Sequence, residues 1–306
     1  MNSPDGTMRA MRASGSDPAT LSLDEVPIPV PGPGEVLVRV AATAVTAQEL
    51  TWPEEWPAIP CHDLSGVVAG SGPGGTGLPE GTAVYGLVGF DRPGAAAEYV
   101  TVPAADLAAR PAAVDQVAAA AIPLGGLTAW QALHDHAELR PGQHVLVHGG
   151  AGGVGAYAVQ VAVALGARVT ATASARDAAY VADLGAHQVI DYQGRFEKEV
   201  HDVDVVVDPV GGDTMARSWP VLRAGGILVA IAEEAPKDQG GRDDVRSVYF
   251  VVEPSGAQLG ELARLVDDGK LRAAVSARFG LAELREAFAA QQARRHPGKI
   301  VVTVAG

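Results

Sequence analysis

With 306 residues, 47% of them hydrophobic and 19% charged, the chain has apolar material for about two buried cores. Its net charge of −13 excludes an electrostatic nucleic-acid platform, which needs clustered Lys and Arg. A single cysteine, Cys61, excludes an intrachain disulfide and a four-cysteine zinc lobe and suits a reducing compartment, so the cytoplasm is expected. The stretch through Ser16 has no apolar signal core. Longer apolar runs are broken by Gly, Pro or charge before they reach spanning length, so no membrane segment is expected.

From Met8 to Val102, short strand-forming runs alternate with Pro and Gly, which predicts a β-rich first domain. The proline-rich stretch from Val26 to Glu35 reads as a stiff extended connector delivering the strand from Val36 to Ala42. Thr43 to Leu50, the tryptophan-bearing Thr51 to Pro60, and Cys61 to Val68 follow. Ala118 to Ala121 and Gly125 to Leu133 read as helical crossing segments.

His144 to Gly155 then reads as a strand, a glycine turn and the start of a helix. Gly150, Gly152 and Gly155 satisfy G-x-G-x-x-G: the first glycine permits a tight turn, the second lets a pyrophosphate approach the backbone, and the third brings helix and sheet close. The helix starting near Val154 presents unpaired N–H groups and a positive dipole end to an anion. The apolar run to Leu165, the C-cap Gly166 and a strand from Ala167 to Ala173 complete a β-α-β unit. At the end of that second strand, a carboxylate would hold an unphosphorylated adenosine ribose and repel a 2′-phosphate. This chain has Ser174 and Arg176 there, a hydroxyl and a guanidinium, which predicts NADP(H). The competing reading makes Arg176 a helix-start residue neutralised by Asp177. Further on, Ser247 to Val252 reads as an apolar strand, Leu281 to Gln292 as an amphipathic helix and Ile300 to Val304 as a closing strand.

This order of motifs resembles the medium-chain dehydrogenase/reductase superfamily, and most of all its zinc-free quinone oxidoreductase branch. The resemblance rests on Pro60 to Val68 (P-x-H-D-x-S-G-V-V), Gly81 to Gly86, Ala97 to Val100, the loop Gly149 to Gly155, Leu184-Gly185-Ala186, Val189 to Tyr192, Asp208 to Gly212, Gly225 to Val229 and Gly298 to Val302. It covers nearly the whole chain. The fold it implies is α/β: a GroES-like, partly open β-barrel catalytic domain over 1–123, a Rossmann doubly wound parallel sheet over 124–265, and a C-terminal return to the first domain over 266–306.

The resemblance also implies site residues. Val45, Thr46 and Thr128 fall at the nicotinamide end, Gly152, Gly153 and Val154 at the pyrophosphate, and Ser174, Arg176 and Tyr192 at the 2′-phosphate. Val210, Ala230, Ile231, Phe250 and Lys299 are implied as further cofactor contacts. Thr46 and His62 are the first candidates for proton donor, with Asp63 orienting, and Trp52 and Trp56 are candidates to stack on a flat substrate. Zinc-dependent relatives bind metal through a cysteine in the first loop, a G-H-E histidine and a ligand near the domain junction. Here Thr46 stands at the cysteine position and Pro123 to Gly126 holds no thiol, so no metal is expected. Cys61 and His62 are expected on opposite faces of one strand.

Without a Lewis acid, the favoured acceptors are quinones and activated alkenes, whose developing charge is delocalised and can be met by hydrogen-bond donors. Relatives pair their Rossmann sheets edge to edge, so the Ser247 to Val252 strand implies a homodimer. Two alternatives remain open at this stage: a non-catalytic NADPH-binding protein, and a substrate-specific biosynthetic enoyl or ketone reductase.

Overall fold

The computed structural model describes residues 6–52, 55–293 and 297–304. In chain order the first elements are β1 (Thr7–Arg12), β2 (Ser22–Pro27), β3 (Glu35–Val45), β4 (Asp63–Ser71), β5 (Ala83–Leu87), β6 (Tyr99–Pro103) and β7 (Leu107–Ala109). Helices α1 (Gln116–Ala120) and α2 (Pro123–Trp130) lead to β8 (His144–Val147), α3 (Gly155–Ala164), β9 (Arg168–Ala173), α4 (Ala178–Asp183) and β10 (Gln188–Asp191). Next come β11 (Val203–Asp208), α5 (Gly212–Ser218), β12 (Leu222–Ala230) and β13 (Arg246–Tyr249). The chain closes with α6 (Gly256–Asp267), β14 (Val275–Gly280), α7 (Leu284–Ala293) and β15 (Lys299–Thr303). These elements form two compact units, Met1–Leu127 with Glu253–Gly306, and Thr128–Val252.

The first unit is built around β3. Its apolar residues are buried on both faces, so it takes a central position and pairs antiparallel with β15, β4 and β6. The sheet order is β14-β15-β3-β4-β5-β7, with β6 on β3, and β1 and β2 make a separate antiparallel pair. Val36, Val38, Val40, Leu64, Val84, Val102, Phe288 and Val302 share one core, so the closing helix and strand belong to the first unit's packing. The expected boundary at 265/266 falls instead after Val252. The reason is α6: it buries Leu259, Leu262 and Val266, and the Leu259 carbonyl accepts from the Tyr85 hydroxyl at 2.6 Å.

The second unit is an all-parallel sheet in the order β10-β9-β8-β11-β12-β13. The chain runs outward from β8 in one direction, then returns to β11 and runs the other way, which makes β8/β11 the switch point of a doubly wound fold. Val145, Leu146 and Val147 are fully buried, as a central parallel strand requires. Strand β13 is shorter than the apolar run that announced it. It ends at Tyr249, which pairs with Ala230 where β12 ends.

Candidate active site

Register alone brings three strand ends of the first unit together. Ile300 pairs with Val45, so Lys299 at the start of β15 falls beside Thr46, just past the end of β3. Ser65 pairs with Ala42 on the other side of β3, which brings Asp63 to the same end. The Lys299 ammonium lies 2.8 Å from Asp63 Oδ2 and donates to Thr46 Oγ1 at 2.8 Å. This pair is almost wholly buried, with side-chain exposures of 5% and 0%. Asp63 Oδ1 accepts the Leu124 amide at 2.7 Å, so the junction segment Pro123 to Gly126 contributes a backbone donor to the carboxylate.

Glu49 closes the cluster, and nothing in the sequence singled it out. Its Oε2 accepts the Thr46 amide at 3.0 Å and its Oε1 the His62 amide at 3.1 Å, which ties the loop after β3 to the segment before β4. Burial pushes its carboxyl up to about 7, against the lowering effect of the Thr46 amide and Lys299. Cys61 and His62 precede β4, and Cys61 sits at φ +69°, so the strand-alternation argument that separated them does not apply. What separates them is the turn itself: Cys61 packs into the core, where burial drives its thiol well above the ordinary range.

His62 is held by a continuation of the β4–β5 ladder. Val88 donates its amide to the His62 carbonyl at 2.8 Å, and His62 Nδ1 meets the Val88 carbonyl at 3.1 Å. A carbonyl only accepts, so Nδ1 carries the ring proton. Burial lowers the His62 pKa, so the ring is neutral and Nε2 is a lone-pair acceptor. In this tautomer the one ring N–H of His62, a proton-donor candidate by resemblance, is directed at the Val88 carbonyl. The ring also sits in an aromatic group with Phe90 (centroids 5.1 Å) and Trp52 (6.4 Å), while Trp52 and Phe90 meet edge to face at 5.3 Å. Trp52 and Phe90 are about a third exposed, and Trp56 stands outside this ring group among the described residues. Phe90 lies in a turn with no periodicity to mark it.

In the second unit the G-x-G-x-x-G stretch forms the turn between β8 and α3. The left-handed residue is Gly149 (φ +60°), not Gly150. Gly150 is required by packing, because a Cβ there would crowd Ala171 and Val181 at 3.0 Å. A Cβ at Gly155 would collide with the Gly149 carbonyl oxygen, so the third glycine lets the helix close over its own loop. No side chain caps the N-terminus of α3, and Gly152 is exposed, a cradle that fits a pyrophosphate. A hydrogen-bond chain stiffens this turn. The Gly149 amide donates to Thr172 Oγ1 at 3.2 Å, Thr172 meets His148 Nδ1 at 3.1 Å, His148 Nε2 meets Ser218 Oγ at 2.8 Å, and Ser218 donates to the Thr214 carbonyl at 2.7 Å. Buried and neutral in this chain, His148 is held down at about 3.

At the end of β9, the Ser174 hydroxyl donates to Asp177 Oδ2 at 2.7 Å and accepts the Asp177 amide at 3.2 Å. Arg176 bonds the same carboxylate at 3.2 and 3.3 Å. The pairing raised as the competing reading of Arg176 is thus present. The guanidinium nonetheless remains 63% exposed, and Tyr192 beside it is also exposed.

The comparisons agree with this architecture. Residues 32–112 match the alcohol dehydrogenase GroES-like domain, and 184–302 match a family described as zinc-binding dehydrogenase. A probable zinc-binding oxidoreductase, mitochondrial, from Arthroderma benhamiae is 32% identical, over 93% of each chain. The quinone oxidoreductase of Coxiella burnetii superposes with a TM-score of 0.89 at 30% identity, covering 98% of this chain and 100% of its own. A mycobacterial protein solved in complex with NADPH superposes at 0.86 with 29% identity, over 97% and 100%.

The chain belongs to the medium-chain dehydrogenase/reductase superfamily. Within it, the chain is a quinone-oxidoreductase-like member, an oxidoreductase family whose relatives use nicotinamide cofactors. Among the described residues of this dehydrogenase/reductase, no three His, Cys, Asp or Glu side chains converge as a metal-binding group, and no helix is long and apolar enough to cross a membrane. Several implied cofactor contacts can act only through backbone. Val45 and Ala230 are core side chains, 1% and 0% exposed, because each lies on a strand whose inner face is packed. Thr128 is buried, Val210 is exposed, Gly153, Val154 and Ile231 are half-buried, and the Phe250 ring meets His136 at a 42° tilt with centroids 4.4 Å apart. Lys299, implied as a cofactor contact, is committed to Asp63 and Thr46.

Proposed function

We propose that this chain is an NADPH-dependent oxidoreductase that reduces a quinone or an activated C=C bond without catalytic zinc. The bound cofactor supplies the hydride. The single observation that carries the reading is the Thr46 hydroxyl, held by the Lys299 ammonium where zinc-dependent relatives place a metal-binding cysteine. An enolate or hydroquinone anion spreads its charge and needs only well-placed donors of this kind. The partly exposed rings of Trp52 and Phe90, packed against His62, offer an apolar wall to such a substrate. The uncapped, glycine-lined start of α3 suits a pyrophosphate, and exposed Arg176 with Tyr192 suits a 2′-phosphate.

The test is the loss of reduced-nicotinamide absorbance with a panel of enones, enals and quinones, using NADPH and NADH in parallel. Turnover with NADPH preferred supports the reading, whereas tight dinucleotide binding with no turnover of any acceptor sinks it. The reading also takes the chain as a homodimer joined through β13, the edge strand of the parallel sheet, beside exposed Tyr249 and Val251. With its one cysteine buried, it is assigned to the reducing cytoplasm.

A further inference from the structure

We propose that Lys299 is a positioning residue that arms the Thr46 hydroxyl as the proton donor of the reaction and then restores its proton; the inference rests on the hydride-transfer reading above. An ammonium only donates, so in the 2.8 Å contact Thr46 Oγ1 must spend a lone pair on Lys299. Its own O–H is thereby turned away from the cluster, and among the described residues that proton has no acceptor. Thr46 is half-buried and borders an open pocket of about 310 Å³ with Gln48, Leu50, Phe288 and Gln291, so this residue stands at the edge of the cluster.

The neighbouring groups are each committed elsewhere. The His62 ring proton is given to Val88, both Glu49 oxygens accept backbone amides, and both Asp63 oxygens are engaged by Leu124 and Lys299. The Cys61 thiol is buried in the core.

The step balances as follows. A bound dihydronicotinamide would supply hydride to the electron-poor carbon, and the electron pair of the C=C or quinone would shift to oxygen as an enolate or hydroquinone anion. The Thr46 O–H bond breaks and its proton goes to that anion. One Nζ–H bond of Lys299 breaks and its proton passes to Thr46 Oγ1. Solvent then returns a proton to the amine through the half-buried Thr46 hydroxyl, while the Asp63 carboxylate holds the amine in place.

The variants are Thr46→Val, Thr46→Ser and the charge-balanced double variant Lys299→Met/Asp63→Asn, which removes the buried pair together and so avoids an orphaned ion; circular dichroism checks the fold of each. The first readout needs no cofactor: p-nitrophenol, an enolate mimic, is titrated into the protein and the bound phenolate is read by its visible absorption. Wild type and Thr46→Ser should favour bound phenolate over phenol, and Thr46→Val and the double variant should lose about tenfold or more of that preference. The second readout is turnover. In the double variant kcat should fall about a hundredfold with KM little changed, while NADPH affinity, read by its fluorescence, stays at the wild-type value. Equal phenolate preference in all four proteins, no preference in wild type, or a fall in NADPH affinity with kcat intact overturns the inference. A phenolate pattern as expected with no turnover of any enone or quinone by wild type upholds the Lys299–Thr46 pair as a hydrogen-bond acid and defeats only the reductase reading.

Discussion

Lys299 and Asp63 form an ion pair with almost no access to water, and such a pair is costly to break by halves. Lys299→Met alone should lower stability by about 3–5 kcal/mol, because it leaves a carboxylate buried beside a single amide donor. The double variant Lys299→Met/Asp63→Asn should recover most of that loss in urea unfolding, and equal losses in the two would show that the charges are not coupled. Two other buried groups set opposite pH dependences. Glu49 titrates near 7 when folded and near 4.5 when unfolded, so its favourable contribution is complete below about 4.5 and is lost as pH rises through about 7. His148 titrates near 3 when folded and near 6.5 when unfolded, so stability falls as pH drops from about 6.5 towards 3. Each slope is about 1.4 kcal/mol per pH unit, and between pH 4.5 and 6.5 they offset one another. Relative to wild type, Glu49→Gln should therefore gain stability with rising pH across 4.5 to 7, and His148→Gln should lose it with rising pH across 3 to 6.5. Denaturation midpoints at a series of pH values measure both, and parallel curves would contradict the assignment.

At the scale of elements, the proposed dinucleotide site rests on the turn between β8 and α3. Gly155→Ala forces a methyl into the Gly149 carbonyl, and should cost about 1–3 kcal/mol of stability and weaken dinucleotide binding through the shifted loop. Gly152→Ala meets only the Gly149 carbonyl oxygen at 3.2 Å and should fold nearly as wild type while still losing affinity, since the added methyl occupies the exposed cradle. At the end of β9, Arg176→Ala should weaken NADPH binding about tenfold or more and leave NADH unchanged. Asp177→Asn, which removes the carboxylate now shared by Ser174 and Arg176, should strengthen NADPH binding. Fluorescence titration with both dinucleotides reads each change. An Arg176→Ala protein that binds both as before would return Arg176 to the role of a helix-start residue.

For the whole molecule, the proposed edge-to-edge pairing through β13 predicts a particle of about twice 31.3 kDa by light scattering, and a monomeric mass would remove the dimer. A dinucleotide that binds only the folded chain should raise its stability by about 2.7 kcal/mol at a hundred times its Kd. Thermal scans with NADPH and NADH therefore rank the two cofactors without any substrate.

The sequence by itself determined the parallel sheet and its phosphate turn, because a strand, a glycine turn and an alanine-rich helix are written in consecutive residues, and local geometry follows from local chemistry. The family resemblance singled out Thr46, His62 and Asp63, which the fold joins through Lys299 and Glu49. Glu49, Phe90 and the true engagement of Lys299 were decided only by tertiary structure. Lys299 lies more than two hundred residues from Asp63, and what joins them is the register of β15 and β4 on either side of β3. The ring of His62 likewise looks like a proton donor in sequence, and only the fold directs its Nδ1–H at the Val88 carbonyl. Register, burial and the direction of each hydrogen bond are properties of the packed chain, and no spacing of residue types encodes them.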